Sequence, residues 1–218
     1  MNSTGSRLRD IYDVLYDHFG PQHWWPAESA FEVMVGAVLT QNTNWRNVSK
    51  AIDVLRQEGV LSFAGLASLS VEHLAGMIRP SGYYNLKARR LKNVIQMIGR
   101  VYGGSLESLL EDELHHAREQ LLTVKGIGPE TADSILLYGG NHPIFVVDAY
   151  THRVFRRHNF LAEECDYQTA QDLFMDNLPH EAQLFNEFHA LIVKTAKTFC
   201  KKKNPLCESC PLGGDDRL

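Results

Sequence analysis

"LLTVKGIGPETADSIL", residues 121–136, decides the fold. Leu121, Leu122 and Val124 close one apolar stretch. Ala132, Ile135 and Leu136 open another at helical spacing. Between them, Gly126 and Gly128 flank a single apolar residue, and Pro129 follows. Proline starts a helix without losing a useful N–H. Glycine permits positive φ and the close approach of a backbone or an anion. The stretch predicts helix, tight turn, helix, with the turn's N–H groups and the helix start offering an anion site. A plain αα-hairpin, whose glycines only make the turn, is the alternative reading of the same letters.

Helical signals dominate on either side. Leu8, Ile11, Leu15 and Phe19 repeat at helical spacing, and FEVMVGAVLT (31–40) reads as a buried central helix. LKARRLKNVIQMIGRVYG (86–103) is amphipathic with a basic face and a Gly-Gly stop. AREQLLTV (117–124) enters the hairpin, PETADSILLYG (129–139) leaves it, and YQTAQDLFMDNL (167–178) and AQLFNEFHALIVKTAKTFC (182–200) follow. PIFVVD (143–148) is the one strand candidate. The class expected is all-α with short loops.

The 218 residues are enough for one large or two small domains with a real core. A net charge of −4 argues against a uniformly basic nucleic-acid binder but permits a local basic face. No apolar run reaches membrane-spanning length and no signal-peptide core is present, so no membrane and a cytoplasmic location are expected.

About twenty residues past the hairpin, Asp148 stands between an apolar run and an apparent helix. There it can cap the helix, and the helix start would keep its carboxylate ionised. "GAVLTQNT" (36–43), "RPSGYYNLKA" (79–88), "KGIGPETA" (125–132) and "VVDAYTHRV" (146–154) occur in that order. Together they resemble the helix–hairpin–helix DNA glycosylase superfamily, the endonuclease III group, over nearly the whole chain. The resemblance implies a two-lobed all-α fold. A six-helix barrel lobe would span 23–135, with the helix–hairpin–helix at about 117–139. Residues 1–22 and 136–218 would form the other lobe, carrying a cysteine-rich loop at 200–210. It also implies a substrate pocket between the lobes and double-stranded DNA with a damaged base as partner, bound by a monomer.

In strand-cutting members a lysine two residues after the second hairpin glycine attacks the sugar. Here that residue is Glu130, which cannot form an imine. The resemblance therefore implies a monofunctional glycosylase. Asp148 would stabilise the oxocarbenium-like sugar and activate or orient a water. Glu130 is otherwise an ordinary first-turn acid.

HWWPAESAF (23–31) and QNTNW (41–45) place large aromatics where an extruded base could stack. They resemble the 3-methyladenine glycosylase branch. This implies that Trp24 or Trp25, with Trp45, sandwiches an alkylated purine, and that Lys197 faces the pocket. Gln41 and Asn42 would fill the gap left by the flipped base, with Ser81–Gly82 as a second wedge. Lys125, Gly126 and Gly128 would hold phosphate. Lys87, Arg89, Arg90 and Lys92 would add positive charge or form the wet face of their helix.

Cys200-x6-Cys207-x2-Cys210 matches three ligands of the family's [4Fe–4S] loop, and the fourth position holds Asp216. A cluster completed by a non-thiolate ligand, a lost cluster, an altered ending and a zinc site all remain open. Two other functions stay in view: a glycosylase for oxidised pyrimidine or mismatched thymine, and a non-catalytic helix–hairpin–helix DNA binder.

Overall fold

The structure, a computed structural model, describes residues 3–213. Helices α1 to α6 are Ser3–Phe19, Ala30–Thr40, Trp45–Gln57, Phe63–Ser68, Val71–Met77 and Tyr84–Val101. Helices α7 to α12 are Leu106–Leu110, Leu114–Leu122, Pro129–Ser134, Ala149–Arg157, Tyr167–Met175 and Ala182–Thr198. Among the described residues there is no β-strand. The chain divides into two compact units, one of Trp25–His142 and one of Met1–Trp24 with Pro143–Leu218.

In the central unit, α2 is buried from Glu32 to Leu39, as its apolar run from Val33 requires, and the buried Glu32 accepts from Arg56 at 2.9 Å. Ser29 caps it by accepting from Glu32 N. α2 packs against α3, α6 and a π-helical turn, Ile135–Gly139, that continues α9. α4, α5 and α7 are too short to show a full period. Each is opened by a serine, Ser62, Ser70 or Ser105, whose side chain accepts from the amide three residues on.

In the other unit, α12 packs on α1 and α10. Its core is aromatic. The rings of Phe145 and Phe174 stack at 3.7 Å, and Phe155 and Phe188 meet that pair edge-on. The expected strand 143–148 is extended chain instead. No second strand lies beside it, so side chains of α11 and its start serve its backbone. Gln171 donates to Phe145 O at 2.6 Å, and Tyr167 OH accepts from Val147 N.

Candidate active site and nucleic-acid interface

The hairpin joins α8 to α9. Val124 and Ile127 point inward, each 6% exposed, which pins the turn to the core. Gly126 takes φ +99. Gly128 does not need glycine's freedom: it is extended at φ −103 and caps α9 without a side chain. A Cβ on Gly128 would meet nothing within 4 Å, whereas one on Gly126 would strike Arg90. The two glycines thus serve different ends, one internal and one facing open space. Lys125 is exposed and its carbonyl accepts from Asn93. Beneath the turn, Asp133 is fully buried and held bidentately by Arg118 at 2.6 and 3.1 Å, tying α8 to α9. Glu130 is exposed in the first turn of α9, where a negative charge complements the helix start.

The QNT loop follows α2. Asn42 is exposed in the left-handed region at φ +54. Gln41 does not project. Its Nε2 donates to Gly126 O at 3.1 Å and Thr131 Oγ1 at 2.9 Å, and its Oε1 accepts from Arg90. Of the expected second wedge, Ser81 is fully buried, with its hydroxyl on Ile78 O. The projecting residue is its neighbour Tyr83, 70% exposed and held at φ +45, after Gly82 at φ +66. A tyrosine costs more than a glycine in that region, so the loop imposes the conformation.

The basic run on α6 is largely used inside the protein. Lys87 is buried and donates to Leu39 O and Ser81 O. Lys92 caps the carbonyls of Leu66, Ala67 and Leu69. Arg90 lies on the hairpin, so Arg89 alone of the four keeps the exposed, solvent-facing position expected of a charge run.

Asp148 is the N-cap of α10. Its Oδ1 accepts from Tyr150 N, Thr151 N and Thr151 Oγ1 at 2.8, 2.8 and 3.1 Å. Its Oδ2 faces His189 Nε2 at 3.6 Å. Burial would raise the pKa of this carboxyl; His189 and the bonds from Thr151 outweigh that and hold it below its ordinary value. The group is a carboxylate with one oxygen locked and the other turned to His189. That pairing has no signature in the sequence, because His189 lies far from Asp148 along the chain.

Two aromatic groups surround the expected stacking residues. In the unit that holds Asp148, Lys197 Nζ lies 5.9 Å from the Trp24 ring centroid and 5.5 Å from that of Tyr150. Trp24, Tyr150, Lys197 and Asp148 therefore form one neighbourhood. In the central unit, Trp25 tilts against Tyr138 at 5.0 Å and meets Trp45 edge-on at 5.1 Å and 88°. Both indoles lie against Gly36, at 3.4 and 3.5 Å from where its Cβ would be. Trp25 and Trp45 thus leave no slot between parallel faces. Trp45 also lines an open cavity of about 370 Å³ with Pro26, Glu32 and Arg56. Tyr138 and Tyr150 are the aromatics that sequence reading passes over; each shows only in the folded chain.

Cys200 is buried at the end of the α12 segment and its Sγ accepts from Arg157 at 3.1 Å. Cys207 is exposed and Cys210 half-buried. Burial, with Cys200 and Cys207 close by, raises the pKa of Cys210. Among the described residues no group of three or more His, Cys, Asp or Glu is placed to hold a metal ion. Asp216 lies outside the described residues. The described residues do not by themselves complete a metal site, and no step below depends on one.

The comparisons bear on this arrangement. A model of the HhH-GPD superfamily base excision DNA repair protein matches residues 35–180. The chain belongs to that superfamily. It is a DNA repair glycosylase of the HhH-GPD type. The matched stretch contains Gln41, the hairpin and Asp148; Trp24, Trp25, Lys197, Cys200, Cys207 and Cys210 lie outside it. A Methanocaldococcus jannaschii protein with the provisional name of DNA repair glycosylase is 46% identical over 203 residues, 93% of this chain and 92% of its own. Endonuclease III of Thermotoga maritima is 31% identical over 180 residues, 83% of this chain and 79% of its own. The structure of the Helicobacter pylori 3-methyladenine DNA glycosylase bound to 1,N6-ethenoadenine superposes with a TM-score of 0.75 at 31% identity, covering 90% of this chain and 98% of that one. No helix among the described residues of this HhH-GPD glycosylase is long and apolar enough to cross a membrane.

Proposed function

We propose that this chain is a monofunctional glycosylase that hydrolyses the N-glycosidic bond of alkylated purines in double-stranded DNA, acts as a monomer, and leaves the strand uncut. The observation that carries this reading is that the chain has an ionised Asp148 and, separately, a glutamate at position 130. Asp148 supplies the negative charge that a developing oxocarbenium sugar needs. Its Oδ1 is engaged by α10, so Oδ2 is the oxygen left to meet the sugar or a water. Glu130 stands where the resemblance places a strand-cutting lysine, and a carboxylate cannot replace an amine in Schiff-base chemistry.

Trp24, Tyr150 and Lys197 beside Asp148 support base recognition: flat faces for stacking and an ammonium for acceptor atoms on the base. The Helicobacter pylori relative, with its 1,N6-ethenoadenine, supports an altered purine as substrate. On the DNA side, Lys125 and the turn around Gly128 would take phosphate. Asn42 and Tyr83 would fill the space left by the flipped nucleotide, with Gln41 bracing the QNT loop against the hairpin behind them. Cys200, Cys207 and Cys210 take no part in this chemistry; iron analysis of the purified protein decides whether a cluster assembles there.

The similarity to endonuclease III favours a second reading, a pyrimidine-lesion enzyme. Release assays separate the two. Duplex DNA treated with a methylating agent should yield free methylated purine with intact strands. Release only from oxidised-pyrimidine duplex, or release accompanied by nicking, would overturn the proposal. Glu130→Lys should introduce a faint borohydride-trapped protein–DNA band absent from the wild type. No band under conditions that trap endonuclease III would refute the role given to that position.

A further inference from the structure

Helix α6 runs past three loops of the central unit and holds each by one side chain. Lys87 bonds Ser81 O, Asn93 bonds Lys125 O, and Arg90 bonds Gln41 Oε1 at 2.5 Å. Arg90 is the member whose position is most constrained. A Cβ on Gly126 would lie 2.6 Å from Arg90 Cγ and 2.7 Å from its Nε, so the arginine stem is seated where the hairpin glycine lacks a side chain. Its Nε–H is buried and has no hydrogen-bond partner among the described residues. Packing on Gly126, not hydrogen-bond saturation, therefore sets where the guanidinium lies.

From that seat Arg90 fixes the Gln41 amide. An arginine only donates, so the amide must present its oxygen to it. The NH2 is then turned to the hairpin, where it reaches Gly126 O and Thr131 Oγ1. A flipped amide would set donor against donor at Arg90 and acceptor against acceptor at Gly126 O. One guanidinium thus determines the orientation of Gln41 and joins the QNT loop to the turn after Lys125.

We propose that Arg90 is a positioning residue of this glycosylase: it couples the Gln41 loop to the hairpin and influences DNA binding through Gln41, not through a phosphate contact. This rests on the reading above that both loops engage the lesion duplex. It also gives Gly126 a second duty. The residue must be glycine to accept φ +99 and to leave room for Arg90.

A double-mutant cycle tests it on the full chain with Arg90→Met, Gln41→Ala and the combination. The probe is a duplex carrying a tetrahydrofuran abasic site, which holds no base and so does not depend on lesion identity. Each single variant should bind roughly tenfold to a hundredfold more weakly, the range for a lost hydrogen bond to a charged group. The combined variant should bind no more weakly than Gln41→Ala alone, because the arginine has nothing left to act through. The salt dependence of binding should match the wild type. Multiplying losses, or a log–log salt slope shallower by about 0.9, would make Arg90 a direct phosphate contact and overturn the proposal. Should Arg90→Met lack a cooperative thermal transition, Arg90→Lys replaces it. The lysine keeps a stem over Gly126 and the charge but loses the fork, and the same absence of additivity is expected. If the wild type releases no methylated purine yet the cycle is non-additive, the substrate reading fails and Arg90's role stands. If the wild type does not prefer the abasic duplex to undamaged DNA, both fall.

Discussion

Lys87 offers a test of how this fold tolerates a buried charge. Its side chain is 1% exposed in the core of the central unit. Nζ donates to Leu39 O at 2.8 Å and to Ser81 O at 2.7 Å, joining the end of α2 to the turn before α6. Burial, reinforced by Arg90, lowers its pKa from 10.5 to about 8. That drop corresponds to roughly 3 kcal/mol held against the charged form in the folded chain. Below pH 8 the proton is bound in both states and the penalty is present in full. Between about 8 and 10.5 the unfolded chain holds the proton more firmly, so stability rises with pH; as pH falls back through 8 it is lost. Lys87→Met removes this dependence and strands two buried carbonyls, at about 1–3 kcal/mol each. Relief of the charge penalty offsets part of that near neutrality. The variant should therefore be less stable than wild type by about 1–3 kcal/mol at pH 7. The gap should widen by about 3 kcal/mol in strong alkali. Urea unfolding of both proteins across that range measures it, since every other titrating group is shared. A gap that stays constant or narrows as pH rises would refute the buried, proton-carrying Lys87.

Four other outcomes follow from the structure. Asp148→Asn should reduce single-turnover base release by at least about a hundredfold with little change in DNA affinity. Wild-type release should persist to a pH below the range where an ordinary carboxylate protonates and only then fall, because the folded chain holds Asp148 ionised; a pH–rate profile would show it. Tyr83→Gly should raise stability by about 1 kcal/mol, by relieving the left-handed backbone at φ +45, while weakening lesion-duplex binding; thermal unfolding and titration on one preparation compare the two. Asp133→Asn breaks a bidentate pair around a fully buried carboxylate and should cost about 3–5 kcal/mol in denaturant unfolding.

The helices were legible where the apolar period is long. α2, α6 and α12 lie close to where their spacing predicts them, and the hairpin lies where Gly126, Gly128 and Pro129 punctuate the sequence. α4, α5 and α7 passed unseen because five to seven residues hold too little of a period to register. The extended stretch at 143–148 looked like a strand because burial on all sides demands the same apolar residues whether a neighbouring strand or side chains meet its backbone. Only the position of Gln171 and Tyr167 tells the two apart.

The site was legible in residue types and much less so in pairings. Asp148 and the hairpin glycines stand out because each is tied to a local turn or cap that the adjacent letters announce. What partners them is set by the tertiary fold, and His189 and Tyr150 carry no local mark. The same limit governs the run Lys87, Arg89, Arg90 and Lys92. As letters it is a positive stripe suited to phosphate, yet α6 turns Lys87 into the core and Lys92 onto backbone carbonyls. A charge run fixes how much positive charge a helix carries; the helix's neighbours fix how much of it DNA can meet. The distinction has a measurable consequence. If only Arg89 and Lys125 remain outward-facing near the hairpin, neutralising both should flatten the salt slope of binding by about two phosphates' worth, roughly 1.8. Neutralising Lys92 should leave the slope as it is and lower the unfolding temperature instead.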